Sequence, residues 1–252
     1  MDLRVAFPTD EHFPFQDENA RSVALQIIRD FDPDVRITLS DGLDFYSISS
    51  FDKDPTVLKA GGLQKEIDAW IAGQKEWLDA SPHARVYAIL GNHEDRLRKY
   101  LWKHPELSDL EVLKLENLLH FERLNIRGEV QLEVEIGDVH KLVVKHGKRI
   151  RQQSAYSARA ELEKEFYAAN VLTGHTHRGG THYAQTRRGV VTALECYCLC
   201  RLDPAYDPSP NWQQGIVLST ISESGIGFEP ILFTRHLGKV VAQWRGKEYR
   251  QE

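Results

Sequence analysis

The chain has 252 residues, of which 41% are hydrophobic and 27% are charged. A chain of this size can bury a substantial core, so we expect a single domain over residues 1–252, with a helical elaboration at about 95–124. The formal net charge of −5 gives no general basic field for nucleic acid, and no apolar run approaches the roughly 20 residues that a membrane span needs.

Short β-type runs alternate with helical patterns over the first 180 residues. Runs rich in Val, Ile, Leu, Tyr and Phe predict strands at Leu3–Phe7, Val35–Leu39, Val86–Leu90, Leu142–Lys145 and Asn170–Leu172. Amphipathic spacing predicts helices at Ala20–Phe31, Leu63–Leu78, Asp95–Trp102, Leu107–Leu124 and Ser154–Tyr167. For the fourth helix, Ser108 is the predicted N-cap and Glu111 is its capping-box partner.

After about residue 180 the pattern becomes mostly strands. The predicted strands are His182–Gln185, Val190–Cys198, Ile216–Ile221, Phe228–Phe233 and Val240–Trp244. Turn residues such as Arg188–Gly189 and Ser224–Gly225 separate them. Alternating strands and helices followed by strands predict an α/β fold, a four-layer α-β-β-α sandwich of two mixed sheets flanked by helices.

Each of the five early strands is followed at once by side chains of the types that bind metal ions in proteins. The segments are Asp10-Glu11-His12, Ser40-Asp41-Gly42-Leu43-Asp44, Gly91-Asn92-His93-Glu94, His146-Gly147 and Gly174-His175-Thr176-His177. In layered α/β proteins, ligands gather at the carboxyl ends of strands, where loops converge. Imidazole, carboxylate and one amide oxygen suit Mn²⁺, Fe, Zn²⁺, Ni²⁺ or Co²⁺ rather than Ca²⁺ or a thiolate site.

In this order the five segments resemble the signature blocks of calcineurin-like metallophosphoesterases, and they span about two-thirds of the chain. The resemblance implies two divalent metal ions, with Mn²⁺ expected first and Mg²⁺ added to the alternatives above. It assigns Asp10, His12 and His177 to the first ion, Asn92, His146 and His175 to the second, and Asp41 to both. The family's glycine before the bridging Asp is Ser40 here.

The resemblance also implies a mechanism in which a metal-bridging hydroxide attacks the phosphorus in line. His93 would face the substrate and protonate the leaving oxygen or stabilise its charge. Asp44 is expected to lie just behind the ligands, and Glu94 is expected to orient a neighbouring imidazole, with Asp95 as the alternative for that role. Arg149, Arg151 and Arg178 are candidate substrate-binding residues, because Arg can clasp phosphate oxygens with two hydrogen bonds. The alternative for these basic residues is an ordinary solvated face.

The expected function is therefore that of a hydrolase acting on phosphoric ester bonds, with a phosphodiesterase of nuclease or cyclic-nucleotide type preferred. Protein-phosphatase relatives carry a Gly-Asp-x-Val-Asp-Arg-Gly block, which the stretch from Ser40 to Tyr46 lacks. The pattern is similar to phage and bacterial phosphoesterases. The alternatives are a phosphomonoesterase or protein phosphatase and, less favoured, a non-catalytic scaffold of the same fold. The expected partners are a phosphate-ester substrate, such as a nucleotide or nucleic acid, and another subunit of an oligomer, with no membrane.

Two further features leave alternatives open. On one strand, Cys196, Cys198 and Cys200 would face the same side, as small core residues or as a metal or redox site. With no disulfide framework and no secretory pattern at Met1–Phe7, we expect a cytoplasmic protein.

Tyr206 and Trp212 lie in a Pro-rich loop, where they either anchor the loop or stack on a base.

Overall fold

The computed structural model describes residues 2–59, 61–136, 140–204, 207 and 209–251. Its strands are β1 Leu3–Phe7, β2 Val35–Leu39, β3 Arg85–Ile89, β4 Ile126–Glu129, β5 Gln131–Ile136, β6 His140–Lys145, β7 Asn170–Thr173, β8 Gly179–Thr186, β9 Gly189–Cys196, β10 Gly215–Ser222, β11 Gly225–Leu232, β12 Thr234–His236, β13 Lys239–Trp244 and β14 Lys247–Arg250. Its helices are α1 Glu18–Phe31, α2 Pro55–Lys59, α3 Gly62–Ala80, α4 Asp95–Lys103, α5 Leu115–Leu118 and α6 Tyr156–Lys164. No helix among these residues is both long enough and apolar enough to cross a membrane.

Two mixed sheets form the centre of the molecule. The first has six strands in the order β11-β10-β1-β2-β3-β4, in which β1 to β4 are parallel neighbours and β10 and β11 are antiparallel. The second has five strands in the order β5-β6-β7-β9-β8, in which β6, β7 and β9 are parallel. The two sheets pack face to face, as the strand pattern predicts.

Alternation along each strand creates the layers. In β1, Val5 and Phe7 lie in the core between the sheets, while Ala6 lies with α1 on the outer side. In β6, Leu142 and Val144 face the inner core, and Val143 packs with α6. Because side chains alternate with a period of two, each sheet can bury both faces. The four-layer α-β-β-α arrangement is therefore confirmed.

A third sheet lies outside the predicted layers. Strands β12, β13 and β14 form an antiparallel sheet near the carboxyl terminus. Its buried side chains join the core of α1, where the rings of Trp244 and Phe31 are 5.9 Å apart. Helix α1 is therefore covered on both sides. The sequence analysis did not predict β12 or β14, nor the polar strands β4 and β5.

The predicted helix Leu107–Leu124 is wrong. The structure has 3₁₀ turns at Pro105–Leu107 and Glu111–Leu113, followed by the short α5. Ser108 ends the first turn and donates to the Pro105 carbonyl 2.8 Å away, so it forms no capping box. The apolar spacing misled the prediction because Leu119, Phe121 and Leu124 reach the core beside α3 through turns. The assignment of 95–124 as an elaboration of a single domain stays a prediction.

A buried ion pair fastens the first ligand segment to the helices. The Glu11 carboxylate, in the loop after β1, accepts from Arg21 Nε at 2.8 Å and from Trp77 Nε1 at 2.9 Å. Arg21 lies on α1 and Trp77 on α3, and the side chains of Glu11 and Arg21 are almost fully buried. Burial opposes the charge of Arg21, but Glu11 and Glu76 raise its pKa above the usual value. The loop that carries Asp10 and His12 is thereby held against both helices.

We predict that Glu11→Gln destabilises the protein by about 3 kcal/mol, because it leaves the buried Arg21 charge without its closest partner. The matched control is Glu18→Gln, since Glu18 contacts the same Arg21 at 3.2 Å but its side chain is 66% exposed. The control should cost less than about 1 kcal/mol. Urea denaturation measures both changes, and equal effects of the two substitutions would contradict the prediction.

Candidate metal centre

The loops that follow β1, β2, β3, β6 and β7 meet at one edge of the two sheets. Six residues of these loops have left-handed backbone angles, with φ between 41° and 72°: Asp10, His12, Ser40, Asp41, His175 and His177. Non-glycine residues adopt this conformation rarely, and clusters of it occur at functional sites. The sharp turns bring these side chains together at the sheet edge.

One group consists of Asp10, His12 and His177. The Nε2 atoms of His12 and His177 lie 2.9 Å apart. His12 Nδ1 lies 3.1 Å from a carboxylate oxygen of Asp44, which fixes the proton on Nδ1 and leaves a lone pair on Nε2. Asp10 accepts from the backbone N–H of His175 at 2.9 Å. Converging imidazole nitrogens and a carboxylate form a set that fits a divalent ion.

A second group consists of Asp41, His146 and His175, with Asn92 beside it. His146 Nε2 lies 2.6 Å from Asn92 Oδ1 and 3.7 Å from Asp41 Oδ2. The His146 and His175 rings are in edge contact, with centroids 4.5 Å apart. This second set also offers nitrogen and oxygen donors that suit a divalent transition-metal ion.

Asp41 lies between the two groups. Its Oδ2 is 4.0 Å from His12 Nε2 in the first group and 3.7 Å from His146 Nε2 in the second. Its Oδ1 accepts from the backbone N–H of His93 at 3.1 Å. A Cβ at Gly91 would lie 2.0 Å from that oxygen, so this position requires glycine. Asp41 is therefore placed where one carboxylate reaches both groups.

Burial sets the protonation of the two groups. It raises the pKa of Asp10 well above its usual range, with Asp41 adding to the effect, and it also raises the pKa of Asp41. It lowers the pKa of His146 to about 2, helped by the neighbouring His175. Burial likewise lowers the pKa of the other three ligand imidazoles, His12, His175 and His177. Burial therefore favours neutral imidazoles, which can bind metal, and protonated carboxyls, whose protons a cation would displace.

Comparisons with known proteins identify the fold. No protein-family profile matches the chain. Among solved structures, a double mutant of Vps29 from Entamoeba histolytica covers 99% of this chain and 100% of its own, at 11% identity with a TM-score of 0.50. Vps29 from Chaetomium thermophilum covers 99% of this chain and 98% of its own, at 8% identity and the same TM-score. The chain has the calcineurin-like metallophosphoesterase fold.

Curated relatives cover most of the chain. The Gene 54 protein of Mycobacterium phage D29 is 26% identical over 231 residues, which are 88% of this chain and 90% of that protein. The Gene 54 protein of Mycobacterium phage L5 is 24% identical over 232 residues, with the same coverage. The names of these two relatives state no activity.

Ser40 occupies the position of the family's glycine. Its φ of 70° is a left-handed value that glycine adopts without strain. The hydroxyl lies 2.7 Å from His146 Nδ1 and 3.4 Å from Asp10 Oδ1. The hydrogen bond at Nδ1 orients the His146 ring, so that its Nε2 points toward the other residues of the second group. The Ser40 side chain thus contacts one residue of each group. The serine thus adds a polar contact between the two groups.

Asp44, rather than Glu94, contacts the imidazoles. One oxygen of Asp44 lies 3.1 Å from His12 Nδ1 and 3.2 Å from His93 Nδ1. Burial alone would raise the pKa of Asp44, but the hydrogen bonds from these histidines hold it well below its usual range. Glu94 instead accepts from the backbone N–H groups of Leu43 and Gly91, so the expectation that it orients an imidazole is corrected. Asp95, the alternative for that role, pairs with basic side chains of its own helix.

The assignment of Arg178 to the substrate is also corrected. Its buried guanidinium donates to the carbonyls of Gln152 and Arg151 and to the Ser157 hydroxyl, at 2.8, 2.6 and 3.0 Å. It therefore holds the loop before α6 in place. Arg149 and Arg151 expose their side chains, and their role in substrate binding stays a prediction.

The three cysteines do not share one face. Strand β9 ends at Cys196, and the left-handed φ of 67° at Tyr197 breaks the alternation. Cys196 lies in the core between the sheets, whereas Cys200 Sγ lies 3.8 Å from His177 Nδ1. The sequence analysis did not predict that Cys200 lies beside His177, a candidate metal ligand.

Trp212 packs on the first group of candidate ligands. Its ring meets the edge of the His177 ring, with centroids 4.2 Å apart. The expected role as an apolar loop anchor fits this packing, whereas stacking on a base stays untested. Tyr206, its predicted companion, lies outside the described residues.

We predict that the ion-loaded protein holds two Mn²⁺ or Zn²⁺ ions per chain and that His177→Ala holds no more than one, because the first group loses a nitrogen ligand. Equilibrium dialysis followed by elemental analysis measures the count. His104→Ala is the control, since the His104 side chain is 40% exposed and lies outside both groups. An unchanged count in His177→Ala would contradict the assignment of the first group.

We also predict that ion binding releases protons from carboxyl groups. Because burial raises the pKa of Asp10 and Asp41, the apparent affinity should rise as the pH increases above about 4, the ordinary carboxyl pKa, and through the raised values. Calorimetry in buffers of different ionisation enthalpy counts the protons, and Asp41→Asn should release fewer. A release that follows an ordinary imidazole pKa near 6.5 would contradict this account.

Proposed function

We propose that the chain is a dinuclear metal-dependent phosphoester hydrolase that acts as a phosphodiesterase. The observation that carries the proposal is the meeting of seven ligand side chains in two groups with Asp41 between them, beside His93. Asp10, His12 and His177 would hold one ion, Asn92, His146 and His175 the other, and Asp41 both. When bound, two divalent cations would supply charge neutralisation for the phosphoryl group and activation of water at neutral pH.

His93 is suited to serve the leaving oxygen. Its Nδ1 lies 3.1 Å from the Asp44 carbonyl and 3.2 Å from the Asp44 carboxylate, so both partners are acceptors and the proton belongs on Nδ1. Its Nε2 therefore faces the centre, 4.0 Å from Asp41 Oδ2. An imidazole held in this way can carry a second proton on Nε2 and give it to the leaving oxygen. The Asp44 carboxylate stabilises the positive charge of the doubly protonated ring.

The preference for a diester rests on charge. A diester carries one negative charge, whereas a monoester carries up to two at neutral pH and needs more cationic partners. Among the described basic side chains, Arg178 is occupied by backbone carbonyls, and Arg96 contacts both His93 and Asp44. Arg96 thus contributes a guanidinium beside His93 in addition to the two proposed ions, and this charge supports a singly charged ester.

The setting and the metal follow from the donor set. The nitrogen and oxygen donors of the two groups around Asp41 support Mn²⁺ as the working ion. Cys196, Cys198 and Cys200 are buried free thiols, which supports a reducing, cytoplasmic location. A scaffold role is disfavoured because all seven ligand positions and His93 are filled.

With Mn²⁺, we predict turnover of bis-p-nitrophenyl phosphate that exceeds turnover of p-nitrophenyl phosphate, with cyclic nucleotides and single- and double-stranded DNA as further substrates. His93→Ala should lower kcat by about 10²–10⁴ while both ions stay bound, since only proton transfer is lost. Asp41→Asn should abolish turnover, whereas the exposed control His104→Ala should retain it.

Each part of the proposal has its own contradicting outcome. A preference for the monoester would overturn the diesterase assignment and leave the metal centre standing. Full turnover by an ion-loaded His93→Ala variant would remove His93 from the chemistry. A wild-type protein that holds two ions and cleaves none of these esters would instead support the scaffold alternative.

A further inference from the structure

Arg96 joins the residues that face the proposed reaction centre. It lies in the first turn of α4, three residues after His93. Its Nη1 donates to the Asp44 carbonyl at 2.7 Å and to the Asp44 carboxylate at 2.8 Å. Its Nη2 lies 3.1 Å from His93 Nε2. The guanidinium is therefore held at the nitrogen of His93 that faces the centre.

The hydrogen-bond pattern fixes the direction of this last contact. His93 Nδ1 faces two oxygen acceptors of Asp44 and carries the ring proton. A guanidinium has donors only, so in neutral His93 the Nε2 atom accepts from Arg96 Nη2. Because Nε2 and Nη2 lie 3.1 Å apart, a substrate oxygen placed at Nε2 also comes close to Nη2.

We propose that Arg96 is a further substrate-contacting residue, which donates a hydrogen bond to the phosphate ester on the side of the leaving oxygen. This proposal rests on the proposed function. Nη1 keeps its two bonds to Asp44, which hold the guanidinium plane in place, while Nη2 is close enough to His93 Nε2 to serve an oxygen placed there. A fixed, always charged donor at this point stabilises the negative charge that the leaving oxygen gains as its bond to phosphorus breaks.

Arg98 provides a contrast two residues further along the same helix. Its side chain is 58% exposed, pairs with Asp95, and lies over the Trp102 ring, with 4.3 Å between the guanidinium carbon and the ring centroid. The Arg96 side chain is 15% exposed and contacts Asp44 and His93. The two arginines share a helix and a charge but differ in their access to the centre. Arg98→Gln is therefore the matched control for Arg96→Gln.

The test measures Arg96→Gln, Arg96→Lys and Arg98→Gln in their Mn²⁺-loaded forms. The substrates are aryl phosphodiesters whose phenol leaving groups have increasing pKa, and inorganic phosphate is the competitive inhibitor. Elemental analysis and thermal melting confirm that each variant is folded and loaded. We expect Arg96→Gln to lower kcat/KM by about 10- to 100-fold, as for loss of a hydrogen bond to a charged group. The loss should grow with the pKa of the phenol, and inhibition by phosphate should weaken.

Arg96→Lys should recover part of the loss, because it restores the charge without the planar donor pair, and Arg98→Gln should match the wild type within about twofold. A purely structural Arg96 would lower activity equally for all phenols, or would lose metal ions, and either result overturns the proposal. So does an Arg96→Gln variant that behaves like Arg98→Gln.

The proposed function can fail separately from this inference. If the wild type cleaves no ester, the phosphodiesterase proposal is wrong. Calorimetric titration of the ion-loaded proteins with inorganic phosphate then still tests Arg96. Weaker phosphate binding by Arg96→Gln than by Arg98→Gln would support the contact, and equal binding would overturn it.

Discussion

The structure depends on one electrostatic constraint, the close approach of buried imidazole and carboxyl groups that need protons or a cation between them. The Nε2 atoms of His12 and His177 are 2.9 Å apart, and Asp10 and Asp41 are both buried with raised pKa values. Burial of such groups costs free energy unless a partner charge or a proton is present. The remaining fold must therefore hold these groups in place, and a cation would replace the protons that they otherwise need.

The backbone around these groups shows how they are held. Residues in the left-handed region cost of the order of 1–2 kcal/mol each, and they persist where neighbouring contacts determine their conformation. The loop after β1 pairs with the loop after β2, through His12 N to the Asp41 carbonyl at 2.9 Å and Phe13 N to the Gly42 carbonyl at 2.8 Å. Glu11 then fastens the same loop to α1 and α3. Hydrogen bonds that continue beyond the sheet therefore offset the strain at the ligands.

The sequence predicted which ligand-type side chains meet better than it predicted their surroundings. Strands that end in Asp, Asn and His are visible as short apolar runs followed by ligands, and parallel neighbours such as β1, β2 and β3 must bring their ends together. Strands β12 and β14 were missed because they are short and mostly polar, which gives no apolar alternation to detect. The third sheet over α1 was missed with them.

The errors near the site have two different causes. Arg178 follows a ligand directly in sequence, but its direction depends on the backbone carbonyls of a loop that is distant in sequence. Likewise, the left-handed angle at Tyr197 redirects Cys198 and Cys200, and no composition pattern predicts a single positive φ at a tyrosine. The positions of the segments after the strands thus predicted which loops meet. The directions of the side chains depended on backbone angles and on contacts that the sequence pattern does not show.

Asp44 connects the two sides of the centre. A single carboxylate oxygen contacts His12 Nδ1, in the first group, and His93 Nδ1, while the other oxygen contacts Arg96. Since the two imidazoles share one oxygen, a stronger hydrogen bond from His12 weakens the one from His93. The position of the His93 ring therefore depends on the contacts of His12, and Arg96 holds the same carboxylate through the other oxygen. The second Asp of the segment after β2 thus links the first group to His93 and Arg96.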